Sequence, residues 1–194
     1  MSKLRVVLLA SGSGSLAQAI MDAVAEGELN IEIAALIADR DCAAVEKAQR
    51  YSITHRVVPL AGDREKWNQE LLESVADFNP TLVVSVGFMR ILSPGFVSIF
   101  KVINTHPALL PAFPGAHAVR DALAAGVSTT GSTVHWVDAG VDTGKIIDQR
   151  EIYIEPGESE EHLHERIKIV ERRLIVETLL NFSQKYESGV GFDE

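Results

Sequence analysis

The chain has 194 residues, of which 46% are hydrophobic and 23% charged, a balance typical of globular proteins rather than disordered ones. This length fits one domain that buries its own core without disulfides or structural metals. The net charge of -9 argues against a surface that tracks nucleic-acid phosphates, and the single cysteine, Cys42, excludes an internal disulfide. We therefore expect a protein of a reducing, cytoplasmic compartment that binds any anionic ligand locally.

The first half of the chain alternates predicted strands and helices. It begins with an apolar run, residues 6–10, that is too short to cross a membrane and is followed by a glycine-rich turn. The pattern predicts strands at 6–10, 31–38, 54–59 and 82–86, and helices at 16–25, 43–50 and 63–78, the last with Asp63 as N-cap. This alternation predicts an α/β fold, an open, mostly parallel twisted sheet with helices on both faces, whose ligands bind outside the carboxyl ends of the strands.

The second half is less regular. We predict a turn at 93–95 followed by a short amphipathic stretch, and a loop over 107–115, where three prolines exclude regular structure. The other predicted elements are strands at 102–106, 133–137 and 145–154, a helix at 116–125 and a long C-terminal helix at 159–186. We interpret residues 1–194 as a single domain, with a phosphate-binding βαβ half at 1–100 and a half that carries the chemistry at 101–194.

The glycine loop, residues 11–15 with the sequence SGSGS, lies between the first predicted strand and helix. Glycines let the backbone approach an anion and the helix N-terminus presents free N–H groups, so a terminal phosphate is the natural ligand. The spacing also satisfies the dinucleotide fingerprint, with Asp39 at the end of the second strand, where that fingerprint places an acid. A nicotinamide-dependent enzyme, a non-catalytic nucleotide-binding module and a turn without ligand therefore remain alternatives.

Asn104, His106 and Asp142 are candidates for chemistry. Asn104 and His106 are two residues apart at a predicted strand end, so both side chains project to the same side and can donate toward one developing oxyanion. Asp142 lies between glycines in a tight turn, where its carboxylate can orient an imidazole. Amide, imidazole and carboxylate suffice for acyl transfer between nitrogens without a protein nucleophile. The alternative interpretation is a structural histidine and a turn-forming aspartate.

Four motifs occur in a fixed order, SGSGS at 11–15, GFMRILS at 87–93, INTHPALLP at 103–111 and GSTVHWVDAGVDTGKII at 131–147. In these motifs the sequence resembles the glycinamide ribonucleotide formyltransferases of purine synthesis, over nearly the whole chain. The resemblance implies a Rossmann-like formyltransferase fold. It also implies transfer of the formyl group of 10-formyltetrahydrofolate to the amine of 5'-phosphoribosylglycinamide.

The resemblance further implies the roles of individual residues. It implies that the catalytic residues are Asn104, His106 and Asp142. It implies that the acceptor's phosphate and ribose are bound by Gly12, Gly14, Ser15, Leu16 and Glu171, and the folate by Arg64, Met89, Arg90, Ile91, Leu92 and Asn104. The family commonly has Asn at the position of Leu16 and Ser at that of Ala108, so phosphate contacts at residue 16 are expected from the backbone.

The remaining histidines are expected to do less. His117 is predicted to border the acceptor, and His55 and His135 to be structural. His162 and His164 do not share a helical face, so we predict no metal.

Two related classes are also considered. Methionyl-tRNA formyltransferases and formyltetrahydrofolate hydrolases resemble the chain too, but they carry an added C-terminal and N-terminal domain respectively, and we expect neither here. The expected partners are the two small-molecule substrates and, from the size of the domain, a second copy in a homodimer. No nucleic-acid or membrane partner is expected.

Overall fold

A single mixed sheet organises the chain in the computed structural model, which describes residues 3–191. Its elements, in chain order, are β1 (Leu4–Ala10), α1 (Ser15–Ala25), β2 (Ile31–Ala38), α2 (Ala43–Arg50), β3 (His55–Val57), α3 (Arg64–Ala76), β4 (Leu82–Ser85), α4 (Pro94–Ile99), β5 (Val102–His106), α5 (Ala118–Ala124), β6 (Thr129–Trp136), β7 (Ile146–Tyr153) and α6 (Glu160–Glu187). The strand order is β3-β2-β1-β4-β5-β6-β7.

The strands from β1 to β5 are parallel, whereas β6 runs antiparallel to β5 and β7 antiparallel to β6. The predicted open, mostly parallel α/β sheet is therefore confirmed. The strand order reverses between β1 and β4, the type of position where ligands bind in such sheets. Neighbouring strands are about 4.8 Å apart, so the loops that follow β1, β4 and β5 lie within roughly 10 Å of one another at one edge.

Strand β1 is buried on both faces, which explains its continuous apolar sequence. Leu4, Val6 and Leu8 belong to the core cluster that includes residues of α1 and α6. Val7 and Leu9 face the opposite side, where their cluster includes Trp67 of α3. The glycine loop therefore begins at the end of a strand that is packed on both sides.

Helix α4 begins where the sequence predicts a turn, and that prediction is wrong. The Ser93 hydroxyl accepts a hydrogen bond from the Phe96 amide at 3.2 Å, and Pro94 occupies the first helical turn. Proline has the dihedral angle that the first turn of a helix needs, so Ser-Pro-Gly starts a helix here. The N-cap role predicted for Asp63 is confirmed, because its carboxylate accepts from the Glu65 and Lys66 amides.

None of the helices between residues 3 and 191 combines the length and the apolar character that a bilayer crossing requires.

Candidate active site

Asn104 and His106 project from the last residues of β5 into a cluster with two side chains from elsewhere in the chain. The antiparallel pairing of β5 with β6 sets Asn104 opposite His135, and the Asn104 amide nitrogen lies 3.3 Å from His135 Nε2. Asp142, in the turn between β6 and β7, lies between the two imidazoles. The three residues predicted to carry the chemistry are thus brought together.

Asp142 is held by three polar contacts. Its Oδ2 is 3.4 Å from His106 Nδ1 and accepts the Gly115 amide at 2.8 Å, and its Oδ1 is 3.5 Å from His135 Nε2. The hydrogen bond to His135, helped by the Gly115 amide and opposed by burial, lowers the pKa of Asp142 to about 2. Asp142 is therefore a carboxylate at neutral pH. Its φ of 54° lies in the left-handed region, which aspartate tolerates better than most residues.

His106 is buried between two acceptor oxygens. Its Nε2 lies 2.8 Å from the Phe113 carbonyl oxygen and its Nδ1 faces Asp142. Burial lowers the pKa of His106, and the Phe113 carbonyl and the Asp142 carboxylate act in the opposite direction. A neutral imidazole donates only one hydrogen bond, so only one of the two oxygens can accept from the ring until the ring gains a proton. The ring is thus neutral at neutral pH and placed to take up a proton.

The loop after β5 is anchored through its backbone. Thr133 donates to the Ala108 carbonyl at 2.6 Å and accepts the Leu110 amide at 3.1 Å, and the Gln149 side-chain amide donates to the Leu110 carbonyl at 2.8 Å. Ala108 is fully buried. Because the anchors use the carbonyl and the amide of the loop, the alanine that replaces the family's usual serine leaves them intact.

His135 is the site residue that the sequence analysis missed, since it was expected to be structural. It is 1% exposed, its Nδ1 lies 2.8 Å from the Trp136 carbonyl oxygen, and its Nε2 faces both Asn104 and Asp142. Its signal is the two-residue spacing of Thr133 and His135, which places both side chains on one face of the strand. That signal becomes useful only once β6 is known to pair with β5.

The glycine loop ends at Gly14, which has a φ of 67° and precedes α1. Within residues 3–191 no side chain caps the first turn of α1, so its N–H groups are available to an anion. The Leu16 side chain is buried in the core and contributes only backbone. The Gly12 carbonyl accepts the Ala44 amide at 3.1 Å, which fixes the loop against α2.

A groove of about 560 Å³ between α1 and α6 starts at Ser15 and is also lined by Lys47, Arg172 and Arg173. None of the three predicted catalytic residues lines it. Glu171, predicted to contact the ribose, is buried in α6, and this burial raises its pKa to about 7.

Residues 89–92, which are predicted to bind folate, lie in the segment 87–92 that connects β4 to α4. Met89 and Ile91 are 71% and 63% exposed, whereas Leu92 belongs to the core cluster around Trp67. The Arg64 guanidinium donates to the Ile91 carbonyl and lies over the Trp67 ring, 4.6 Å from its centroid. Arg64 is therefore brought to this segment as predicted, and Leu92 is part of the packing beneath it.

The Asp39 carboxylate has no exposed surface and is bound by Arg90 at 2.6 Å and by Arg40 at 3.1 Å. Both arginines already bind the carboxylate, so it is not free to accept from a ribose hydroxyl, as the nicotinamide alternative requires.

Two other predictions concern histidines. His117 is exposed at the N-cap of α5, next to the loop of Phe113 and Gly115.

A cluster that resembles a metal site is formed by Glu155, Glu158 and His162, whose ligand atoms lie within 4.8 Å of one another. The Arg166 guanidinium, however, already binds both carboxylate oxygens of Glu158, at 2.8 and 2.9 Å. The guanidinium supplies the positive charge that a cation would bring.

Comparison with known proteins gives a consistent result. Residues 4–179 match the formyl transferase family. The chain is 51% identical over 176 residues to phosphoribosylglycinamide formyltransferase of Mycobacterium tuberculosis, covering 89% of this chain and 81% of that protein. It is 36% identical to the Escherichia coli protein of the same name, covering 88% and 83%.

Among solved structures, the fold is similar to glycinamide ribonucleotide transformylase 1 from Geobacillus kaustophilus, with a TM-score of 0.89, 39% identity and coverage of 93% of this chain and 99% of that one. The family match spans the glycine loop, the segment 87–92 and the cluster at the end of β5. The chain belongs to the formyl transferase family, among its phosphoribosylglycinamide formyltransferases.

Proposed function

We propose that this chain transfers the formyl group of 10-formyltetrahydrofolate to the amine of 5'-phosphoribosylglycinamide, a step of purine (IMP) biosynthesis. The observation that carries the proposal is the contact of Asn104 and Asp142 with the buried His106 and His135 at the carboxyl end of β5. An amide, imidazoles and a carboxylate supply what formyl transfer needs, which is oxyanion stabilisation and proton movement. The activity of the named relatives supports the same assignment.

The first step of the proposed mechanism uses the lowered pKa of His106. The neutral imidazole accepts a proton from the acceptor's ammonium group, which frees the amine for attack. The ring also has to exchange the Phe113 carbonyl for a substrate atom if Nε2 is to take part, because that carbonyl lies 2.8 Å away.

The second step forms the new carbon–nitrogen bond. The amine attacks the formyl carbon, and the carbonyl electron pair moves to oxygen. The Asn104 amide and the imidazolium of His106 stabilise this oxyanion, while the Asp142 carboxylate stabilises the imidazolium. The bond to the folate nitrogen then breaks, and that nitrogen receives the proton that the attacking amine gives up. The proton first taken by His106 leaves to solvent, so charge and atoms balance.

The substrate contacts are part of the same proposal. We propose that backbone N–H groups at Gly12, Gly14, Ser15 and Leu16 bind the acceptor's phosphate, as the uncapped first turn of α1 favours, and that Glu171 contacts its ribose. The donor binds along Arg64, Met89, Arg90, Ile91 and Leu92, with Asn104 at the formyl group. No step of the mechanism uses a metal.

The cytoplasmic location, the single domain over 1–194 with its two halves and the homodimer also remain proposals. Cell fractionation, limited proteolysis and light scattering test them in turn.

The decisive experiment mixes the purified protein with 10-formyltetrahydrofolate and 5'-phosphoribosylglycinamide and follows tetrahydrofolate release and the formylated acceptor by mass spectrometry. We expect one formylated acceptor per tetrahydrofolate, and little release when the acceptor is omitted. Acceptor-independent release identifies a hydrolase and overturns the proposal. A nicotinamide-dependent absorbance change with no formyl transfer overturns it in favour of a dehydrogenase.

A further inference from the structure

A buried polar network connects the glycine loop to the segment 87–92. Ser11, the first residue of the loop, accepts the Met89 amide at its hydroxyl oxygen, at 2.8 Å. The same hydroxyl also interacts with the Asp39 carboxylate and favours its charged form. The Ser11 amide in turn donates to the Gly87 carbonyl at 3.2 Å. Ser11 therefore touches both ends of the Gly87–Met89 turn and the carboxylate that follows β2.

Asp39 is the centre of this network. Its carboxylate is fully buried, and the Arg90 Nε lies 2.6 Å from its Oδ2. Arg40 contributes a longer contact of 3.1 Å from a side chain that is half exposed. A buried carboxylate requires such partners, because an unpaired charge in the interior is strongly unfavourable. Removal of Asp39 therefore frees Arg90 and leaves the Ser11 hydroxyl with one partner fewer.

The consequence is an exposed segment with a fixed backbone. Met89 is held through its amide, Arg90 through its side chain and Ile91 through the carbonyl that accepts from Arg64. The Met89 and Ile91 side chains nevertheless remain largely exposed. A surface segment fixed at three successive residues is preorganised, so a ligand that binds it loses little free energy in ordering it.

We propose that Asp39 is a positioning residue for the formyl donor. By holding Arg90 and the Ser11 hydroxyl, it keeps the backbone of residues 87–92 in the shape that the donor binds and fixes that segment relative to the glycine loop. This rests on the proposed function, because it takes residues 87–92 to be the folate-binding segment. Asp39 itself is covered by protein and does not contact the donor.

The first test is kinetic and uses the variants Asp39→Ala, Asp39→Asn and Ser11→Ala. We expect Asp39→Ala to raise the KM for 10-formyltetrahydrofolate about 10- to 100-fold, with kcat and the KM for the acceptor changed less than about threefold. Asp39→Asn keeps the shape and an accepting oxygen, so it should restore part of the loss. Arg56→Ala is the matched control, because it removes an exposed arginine–aspartate ion pair, with Asp77, that lies outside this network, and it should leave every constant near wild type.

The second test needs no turnover. Hydrogen exchange of the Met89 amide should be slow in the wild type and faster in Asp39→Ala and Ser11→Ala, with Arg56→Ala unchanged. Faster exchange of the Met89 amide in Asp39→Ala, with an unchanged KM for 10-formyltetrahydrofolate, overturns the proposal. An equal rise of the KM for both substrates together with a lowered Tm also overturns it. If the wild type transfers no formyl group, the proposed function fails. Calorimetric titration with 10-formyltetrahydrofolate then decides the positioning role by whether Asp39→Ala weakens binding and Arg56→Ala does not.

Discussion

The pKa of His106 is determined by influences that act in opposite directions. Burial favours its neutral form, while the Phe113 carbonyl and the Asp142 carboxylate favour the charged one. The ring is therefore neutral before the reaction and is stabilised as soon as it gains a proton. This behaviour suits a group that takes a proton from an ammonium ion and then faces an oxyanion.

Replacement of His106 by Ala should lower kcat about 10²- to 10³-fold, the usual loss when one oxyanion-stabilising donor is removed. Single-turnover formyl transfer measures it, with circular dichroism as the check on folding. The control is His55→Ala, which should keep wild-type rates. His55 is exposed on β3, the edge strand farthest from β7, where its ring contacts Gln49. Near-wild-type transfer by the His106 variant contradicts the assignment.

Glu171 predicts a pH dependence of stability. Its ordinary pKa of 4.5 is raised to about 7 by burial, so the folded protein keeps the proton while the unfolded chain loses it between these values. The stability that this protonated carboxyl contributes is complete below pH 4.5 and is lost as the pH rises to about 7. Glu171→Gln should therefore gain about 2–3 kcal/mol over the wild type at pH 8, and little at pH 4.

Urea unfolding at both pH values measures this difference. Glu177→Gln, at an exposed position of the same helix, should follow the wild-type curve. An identical pH dependence in wild type and Glu171→Gln contradicts the prediction. If Glu171 also contacts the ribose as proposed, the stabilised variant binds the acceptor more weakly, a stability gained at the expense of function.

At the residue scale, the sequence predicts which side chains share a face of a strand, because side chains alternate with a period of two residues. Asn104 and His106 share a face because they are two residues apart. His135 joins them only through antiparallel pairing with β6, and Asp39 meets Arg90 across 51 positions of the chain. Neither contact leaves a local signal, so a pattern confined to one segment cannot reveal it.

At the scale of elements, the glycine loop depends on its two glycines to different extents. A Cβ on Gly14 would lie 2.7 Å from the Ala44 Cα and would require the left-handed φ of 67° in a residue with a side chain. A Cβ on Gly12 would meet nothing within 4 Å.

Gly14→Ala should therefore destabilise the fold by about 2 kcal/mol or more, whereas Gly12→Ala should stay within about 0.5 kcal/mol. Chemical denaturation of the two variants beside the wild type provides the comparison. Equal stability of the two variants would contradict the described packing of α1 on α2.

The sequence predicts the bounds of an element correctly where the apolar periodicity is strong. It misses them where polar residues or a turn signal interrupt that periodicity. The bounds predicted for β2, α2 and β5 are those observed. Strand β6 begins four residues before its predicted start, since Thr129, Thr130 and Ser132 interrupt the apolar pattern although Thr130 and Ser132 are buried. The sequence Ser93-Pro94-Gly95 is compatible both with a turn and with the start of a helix, so the pattern alone does not reveal the start of α4.

At the scale of the whole molecule, the parallel sheet was predictable because each βαβ unit repeats one strong pattern. The attachment of α6 was not, since a long amphipathic helix does not reveal its partner. Phe182 stacks on Trp136 with ring centroids 5.6 Å apart and fastens α6 to β6.

Phe182→Ala should destabilise the protein by about 3–5 kcal/mol, the usual loss for a buried phenylalanine. Equilibrium unfolding in urea tests this. Ile169→Ala, on the exposed face of the same helix, should change stability by less than about 0.5 kcal/mol. A loss below 1 kcal/mol in the Phe182 variant would show that the stack adds little to the attachment of α6.

The position of α6 has a consequence for synthesis on the ribosome. Leu4, Val6 and Leu8 of β1, among the first residues made, share a core cluster with Leu174, Leu179 and Phe182 of α6, among the last. One apolar face of β1 therefore stays partly exposed until α6, near the end of the chain, has been synthesised and can pack on it. A nascent chain that stops short of residue 174 carries that apolar face in contact with water, where chaperones and other nascent chains can bind it.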